Sequence, residues 1–269
     1  MEERALRRLV ETNFLTPSVL AFNRWVLRSL PEDAILITNG DWDTFPALAL
    51  QVVEGMRGDV GIINRSLINL PWYAQRMSAR HGVDLPMATA EMESFQPYRE
   101  ADGTVVILAD AMIREWMDSG DVSGRPLAFA ATVDMKAFQN SARLQYAGAH
   151  WRLSPEADPR DVDAASVRIA MEAVSVGDFS TPEVSPQDRS AIRRLAARNR
   201  GLARVVLHTG YRYAEAMIES GDVENAAEAV AWAEQFANGA GLEGDHREVV
   251  EIMKEAVQGA QRKSTNTQG

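Results

Sequence analysis

Asn39-Gly40-Asp41-Trp42-Asp43-Thr44-Phe45-Pro46 is the densest run of chemically capable side chains in the sequence. Its two carboxylates, amide and hydroxyl suit a hard cation, which takes oxygen ligands, or the hydroxyls of a sugar. Asn39-Gly40 lets the chain turn sharply with φ > 0. Asp43 or Thr44 can cap a following helix through a side-chain oxygen. Trp42 and Phe45 need a surface to pack on, either a neighbour or a ligand. A structural reading stands beside the functional one: Asp43 as N-cap, Asp41 as turn former and Trp42 as core.

Further along, Asn64, Arg65, Ser66 and Asn69 form a second polar cluster, followed by Trp72-Tyr73, which reads as core or as a stacking platform for a sugar. Asp110 and Asp134 stand singly, each a candidate general base or a helix cap. Nucleotide cradles are missing: there is no GxGxxG and no GxxxxGK[ST]. His81, His150, His208 and His246 fall in different elements without HxH or HExxH spacing, so no metal ligand is assigned. Nor is there a GxSxG elbow. Cysteine is absent, which removes disulfides, thiolate metal sites and a Cys nucleophile. The net charge of -10 opposes a general nucleic-acid binder, because phosphate backbones need a surplus of Lys and Arg.

These clusters matter only if the fold brings them together. Continuous apolar runs at Ala34 to Thr38, Asp59 to Ile63, Thr104 to Leu108 and Pro126 to Val133 predict four buried parallel strands. Helices are expected at Glu2 to Glu11, Ser18 to Leu30, Thr44 to Met56, Pro71 to His81, Ala111 to Ser119 and Met135 to Ser141. Arg143 to Leu153 reads as one more strand, an antiparallel edge. The expected class is α/β: an open, mostly parallel, Rossmann-like sheet with flanking helices. In such a sheet ligands bind beyond the carboxyl ends of the strands. Asn39, Asp41, Trp42, Asp43, Thr44, Asn64, Ser66, Asn69, Trp72, Tyr73, Asp110 and Asp134 are therefore the candidate ligand residues.

After Pro155 the pattern turns helical. Asp158 to Val174, Ser185-Pro186 to about Ser220, Val223 to Ala237 and Asp245 to Ala260 are the expected helices, with Gly201 and Gly210 as points of bending in the second. YAEAMIESGDVENAAEAVAWAEQF has tetratricopeptide spacing: Ala214, Ala226 and Ala229 allow close approach, and Gly221-Asp222 makes the tight turn. It reads as a cap on the α/β part or as a docking surface for a protein partner. The expected division is 1–155 for the α/β domain, 156–262 for the helical subdomain and 263–269 for a disordered tail.

LITNGDWDTFPALALQVVEGMRGDVGIINRSLINLPWYAQRM resembles a segment from the soluble C-terminal region of large bacterial membrane proteins related to the transmembrane protein O-mannosyltransferases. The family pattern is similar to TNGDNDTFP, then VEG-R-DV, then VN-SLLN-WY. The chain keeps Asn39, Gly40, Asp41, Asp43 to Pro46, Val53 to Gly55, Arg57, Asp59, Val60, Asn64, Ser66, Leu67, Asn69, Trp72 and Tyr73, with Trp42 where the family has Asn. YAGAHWRLSP and the tetratricopeptide-like segment resemble later parts of the same region. In that family the transfer chemistry is expected of a polytopic membrane part using a lipid-linked sugar, which has no counterpart in this sequence. The resemblance implies a free-standing accessory domain.

The expectation is a non-catalytic binding or scaffolding protein linked to cell-envelope glycosylation, with a sugar or nucleotide-sugar ligand at the NGDWDTFP edge. The alternatives are a metal-dependent transferase or hydrolase and a tetratricopeptide-type adaptor. No cofactor is identified. No run approaches the ~20 apolar residues of a membrane span and no signal peptide is evident. A cytoplasmic location follows from that reading, or an extracytoplasmic one if the chain is a piece of a membrane protein.

Overall fold

The structure, a computed structural model, describes residues 3–11, 15–138, 144–154, 162–180 and 190–267. The described residues fall into two units. One draws on Met1–Thr12, Val26–Tyr146 and His150–Asp161, the other on Asn13–Trp25, Ala147–Ala149 and Val162–Gly269.

The first unit is built on β1 (Ile35–Thr38), β2 (Gly61–Asn64) and β5 (Leu127–Ala130), each buried at every position. Burial on both faces explains why these strands are apolar without alternation. β1 lies in the middle, parallel to both neighbours, with Ile35 opposite Gly61 and Leu127. β6 (Leu144–Tyr146) and β7 (His150–Leu153) extend the sheet antiparallel, giving the order β2-β1-β5-β7-β6. The sheet is thus mixed rather than mostly parallel. The single edge strand expected at Arg143 to Leu153 is a hairpin. Gly148 in its turn has φ 89°, and a Cβ there would stand 2.6 Å from the Ala170 Cβ.

Thr104 to Leu108 does not join this sheet. Only Val105–Val106 is extended (β4), and it pairs antiparallel with β3 (Tyr98–Arg99) in a separate ribbon. Leu108 already opens helix α6 (Leu108–Ser119). A run of four apolar residues carries no mark distinguishing a strand from a helix start. The remaining helices of this unit are α1 (Glu3–Glu11), α3 (Asp41–Glu54), α4 (Pro71–His81) and the short α5 (Thr89–Ser94). α3 starts three residues earlier than expected, which leaves Pro46 inside it rather than in its first turn. The helix expected from Met135 is a 3-10 turn, Met135–Phe138, and residues 139–141 of that expectation lie outside the described ones.

Helix α2 (Pro17–Ser29) contributes its last residues here and its earlier ones to the second unit. In that unit Trp25 Nε1 donates to the Ala170 carbonyl on α7 (Ala164–Glu172) at 2.8 Å. Then come α8 (Ser190–Ser220), α9 (Val223–Gly239) and α10 (Glu243–Thr267), with α8 and α10 both packed on α9. Ala214, Ala226, Ala229 and Ala233 are buried, so little separates the backbones of α8 and α9. Asp222 caps α9 by accepting from Asn225 N at 3.2 Å. α8 is continuous through Gly201 and Gly210. α10 continues to Thr267 through most of the segment expected to be disordered. The starts expected at Asp158 and Ser185 fall on 155–161 and 181–189, outside the described residues. Among the described residues no helix is long and apolar enough to cross a membrane.

At the entry end of the strands, arginines collect carbonyls. Arg57 donates to the carbonyls of Leu27 (2.9 Å), Leu30 (2.8 Å) and Pro31 (2.6 Å), the orphan acceptors at the end of α2, and pairs with Asp59 at 2.8 Å. Arg125 donates to the carbonyls of Asp33, His81 and Asp59 at 2.7–2.8 Å. The free edge of β2 is flanked by α4, whose Tyr73 hydroxyl accepts from Asn64 N and whose His81 ring lies against Gly61. Gly61 makes room for it: a Cβ would meet the His81 ring at 3.1 Å and the Ile35 side chain at 2.6 Å.

Two predictions follow from this end of the sheet. Arg57→Ala leaves three helix-end carbonyls without their charged donor and lowers the unfolding free energy by about 2–4 kcal/mol in urea titrations. Arg57→Lys recovers only part, because one ammonium cannot reproduce the fork. Desolvation, then the like charges of Arg80 and Arg125, pushes the His81 pKa from 6.5 down to about 4. The unfolded chain therefore takes up that proton first, and stability is lost as pH falls from about 6.5 toward 4. His81→Gln flattens that part of a stability-against-pH curve.

Candidate functional site

β1, β2 and β5 run parallel, so Thr38, Asn64 and Ala130 end at the same edge of the sheet. Each strand there hands over to a helix or turn whose first N–H groups need acceptors. Asp43 answers this at α3. Its carboxylate accepts from Asn39 N at 2.7 Å, from Gly40 N at 2.9 Å and from Thr132 Oγ1 at 2.5 Å, and it is 4% exposed. Gly40 occupies the N-cap position, so Asp43 caps from inside the helix, reaching backwards. Desolvation raises the Asp43 pKa above the ordinary 3.8, opposed by the bonds from Thr132, Asn39 and Gly40.

Thr44 is the hub beside it. Its hydroxyl donates to the Gly40 carbonyl at 2.5 Å, accepts from Asn64 Nδ2 at 2.9 Å and lies 2.5 Å from the Thr38 hydroxyl. Asn64 is used at both ends, since its Oδ1 also accepts from Leu67 N at 3.0 Å. Tyr73 is buried, and its hydroxyl accepts from Asn64 N at 3.1 Å. Ser66 donates to the Asn39 carbonyl at 3.0 Å. Asn69 donates to the Ser66 carbonyl at 3.1 Å and accepts from Ala109 N at 3.0 Å, so it caps α6 from outside that helix.

Asp110, 1% exposed, sits in the first turn of α6 and pairs with Arg65 at 2.6 Å. The Arg65 guanidinium also lies over the Phe138 ring, 5.7 Å from its centre. Asp134 is exposed and accepts from Lys136 N at 3.0 Å, a short-range cap. No group of three or more His, Asp or Glu side chains that can hold a metal occurs among the described residues.

The structure thus brings Asp43, Thr44, Asn64 and Tyr73 into one buried network and engages Asn69 and Asp110 in capping and pairing. Asn39 and Asp41 are exposed, and neither side chain makes a hydrogen bond or ion pair among the described residues. Trp42 is half-buried. Trp72 is 58% exposed and meets Tyr73 edge-on at 5.9 Å, so the Trp72-Tyr73 pair divides into one surface and one core residue.

An open cavity of about 270 Å³ adjoins the network between α3 and α4. Phe45, Leu48, Leu67, Trp72 and Met77 line it, with Arg76 and Arg80 at its rim. The two arginines were not among the sequence candidates. The signal available was their spacing: Trp72, Arg76 and Arg80 recur every four residues and so share one face of a helix.

Asp43→Asn replaces one acceptor with a donor against two backbone N–H groups and destabilises the fold by about 1–3 kcal/mol. A carboxyl with a raised pKa binds its proton more readily in the folded state, so its contribution falls as pH rises through that range. The stability gap between wild type and Asp43→Asn therefore narrows as pH climbs above about 3.8. Urea titrations of both chains across that range measure it.

Residues 20–108 match the family model described as TMEM260-associated domain 2. That stretch holds β1, β2, α3, α4, Asn69 and the whole lining of the cavity. Protein O-mannosyl-transferase TMEM260 of Mus musculus is 37% identical over 67 residues, which make up 24% of this chain and 9% of the mouse protein. The chain therefore spans a small part of that relative's length. No solved structure matches. The likeness to the TMEM260-associated domain is carried by residues 20–108.

Proposed function

We propose that this chain is a non-catalytic recognition domain serving protein O-mannosylation in the cell envelope, binding a sugar-bearing ligand at the NGDWDTFP edge. The observation that carries the reading is the division of labour within that loop. Asp43 and Thr44 are buried and fully engaged by the fold, whereas Asn39 and Asp41 are exposed and unengaged among the described residues. An amide and a carboxylate two residues apart, beside the half-buried Trp42, offer hydrogen bonds to sugar hydroxyls and a ring for their CH face. The relation to a protein O-mannosyl-transferase makes mannose, free or on a peptide, the ligand of first choice.

Binding is favoured over catalysis by where the acids stand. A metal-dependent transferase or hydrolase built from Asp41, Asp43, Asp110 and Asp134 needs them free to share a cation or a substrate. Asp43 holds backbone N–H groups, Asp110 is paired with Arg65 and Asp134 caps its own turn. In this reading the sheet unit is a Rossmann-like module with an antiparallel extension. The chain corresponds to the soluble C-terminal region of bacterial members of the family. The helices after residue 190 form a tetratricopeptide-like arm that docks a protein partner.

Isothermal titration of the intact chain with mannose, a mannosyl-threonine peptide and nucleotide sugars tests the proposal. The expected result is saturable binding of a mannosyl ligand without turnover. Asn39→Ala and Asp41→Ala each weaken it by about tenfold, the loss of one or two hydrogen bonds, with unchanged melting. No heat with any of these ligands, or release of a product, overturns it.

A further inference from the structure

The cavity between α3 and α4 is a second feature, separate from the sugar hydroxyl chemistry of the loop. Its walls are apolar: Phe45 and Leu48 from α3, Met77 from α4, and Leu67 and Trp72 ahead of and at the start of α4. The two hydroxyls that reach its lining, on Thr44 and Tyr73, are engaged with Gly40 and Asn64 inside the fold. A sugar or a nucleobase entering there finds little to hydrogen-bond, so the cavity suits an aliphatic or aromatic side chain.

Its rim has the opposite character. Arg76 and Arg80 are exposed, and neither has a hydrogen bond or ion pair among the described residues, in a chain of net charge -10. They follow Trp72 at four-residue intervals on α4, so successive members are about 6 Å apart along the helix axis. In an extended peptide, residues two apart are separated by about 6.6 Å and point to the same side. An apolar residue followed by acids at alternate positions therefore matches the row formed by the cavity, Arg76 and Arg80.

We infer that this groove docks an extended acidic segment of a partner protein, its apolar side chain in the cavity and its carboxylates on Arg76 and Arg80. Planar guanidinium groups pair with carboxylates through two parallel bonds, which supplies orientation as well as attraction. The cavity supplies the anchor and the arginines the register, as in other modes of peptide capture.

Selection of a random phage-displayed peptide library on the intact chain tests this directly. The expected winners carry one large apolar residue with Asp or Glu at alternate following positions. As fluorescent peptides they bind less tightly as salt rises. Arg76→Glu or Arg80→Glu weakens binding by at least about tenfold, since each places like charges together. Both positions are exposed, and an unchanged melting curve shows that the variants fold. Trp72→Ala weakens binding without altering its salt dependence. Selection that yields no consensus, a consensus without acids, or affinity indifferent to both charge reversals overturns the proposal. So does sedimentation showing that the groove is covered by a second copy of the chain, or displacement of the peptide by nucleotide sugars alone.

Discussion

A helix begins with N–H groups that have no partner and ends with carbonyls that have none. In the sheet unit this polarity dictates which side chains stand at each end. Where β1 and β2 run out and α3 and α6 begin, side-chain oxygens meet the free N–H groups: Asp43 on Asn39 and Gly40, Asn64 on Leu67, and Asn69 on Ala109. Where α2 and α4 run out, arginines meet the free carbonyls: Arg57 on Leu27, Leu30 and Pro31, and Arg125 on His81, with the Asp33 and Asp59 carbonyls from the loops ahead of β1 and β2. Each set also agrees in sign with the helix dipole it faces. Much of the polar signature of residues 39–69 is thereby accounted for by closing the ends of a parallel sheet.

How far this could be read from the sequence depends on the distance between partners. Ile35 to Thr38 and Leu127 to Ala130 are buried strands because their neighbours cover both faces, and an unbroken apolar run is the local trace of that. Asp43 as a cap was legible because its partners lie three and four residues away, although it caps from within the helix rather than ahead of it. Asn69 serves a helix 40 residues further on, and Arg57 one that ended about 26–30 residues earlier. No spacing within either segment announces those contacts. Val105 to Leu108 failed for the complementary reason: four apolar residues satisfy a strand or a helix start equally, and the acceptor offered by Asn69 favours the helix here.

The same constraint sharpens what counts as a functional residue. An acid after a parallel strand is ambiguous in sequence, since capping and ligand binding need the same atoms in nearly the same place. The structure separates the two uses by what is already occupied. Asp43 and Asp110 are almost completely buried and engaged by the protein itself. A ligand at either would have to displace a backbone N–H or a guanidinium, leaving a buried group unpaired at a cost of about 1–3 kcal/mol or more. Asn39, Asp41, Trp72, Arg76 and Arg80 carry no such penalty, because solvent reaches all five.

That accounting also explains why the motif can support binding without being the site of chemistry. The buried network ties the start of α3 to the ends of β1 and β2, and Tyr73 ties α4 to the same point through Asn64. The exposed loop and the groove therefore rest on a common frame in which Thr44 is held by Gly40, Thr38 and Asn64. A fixed frame lowers the ordering cost of recognition, since fewer side chains and backbone torsions are frozen on contact. Replacing Thr44 would then disturb the floor of the groove and the base of the loop together, whereas Asn39 and Arg76 can each change alone. A frame of this kind can present different ligands at its rim, and the half-buried Trp42 stands where the frame gives way to the surface.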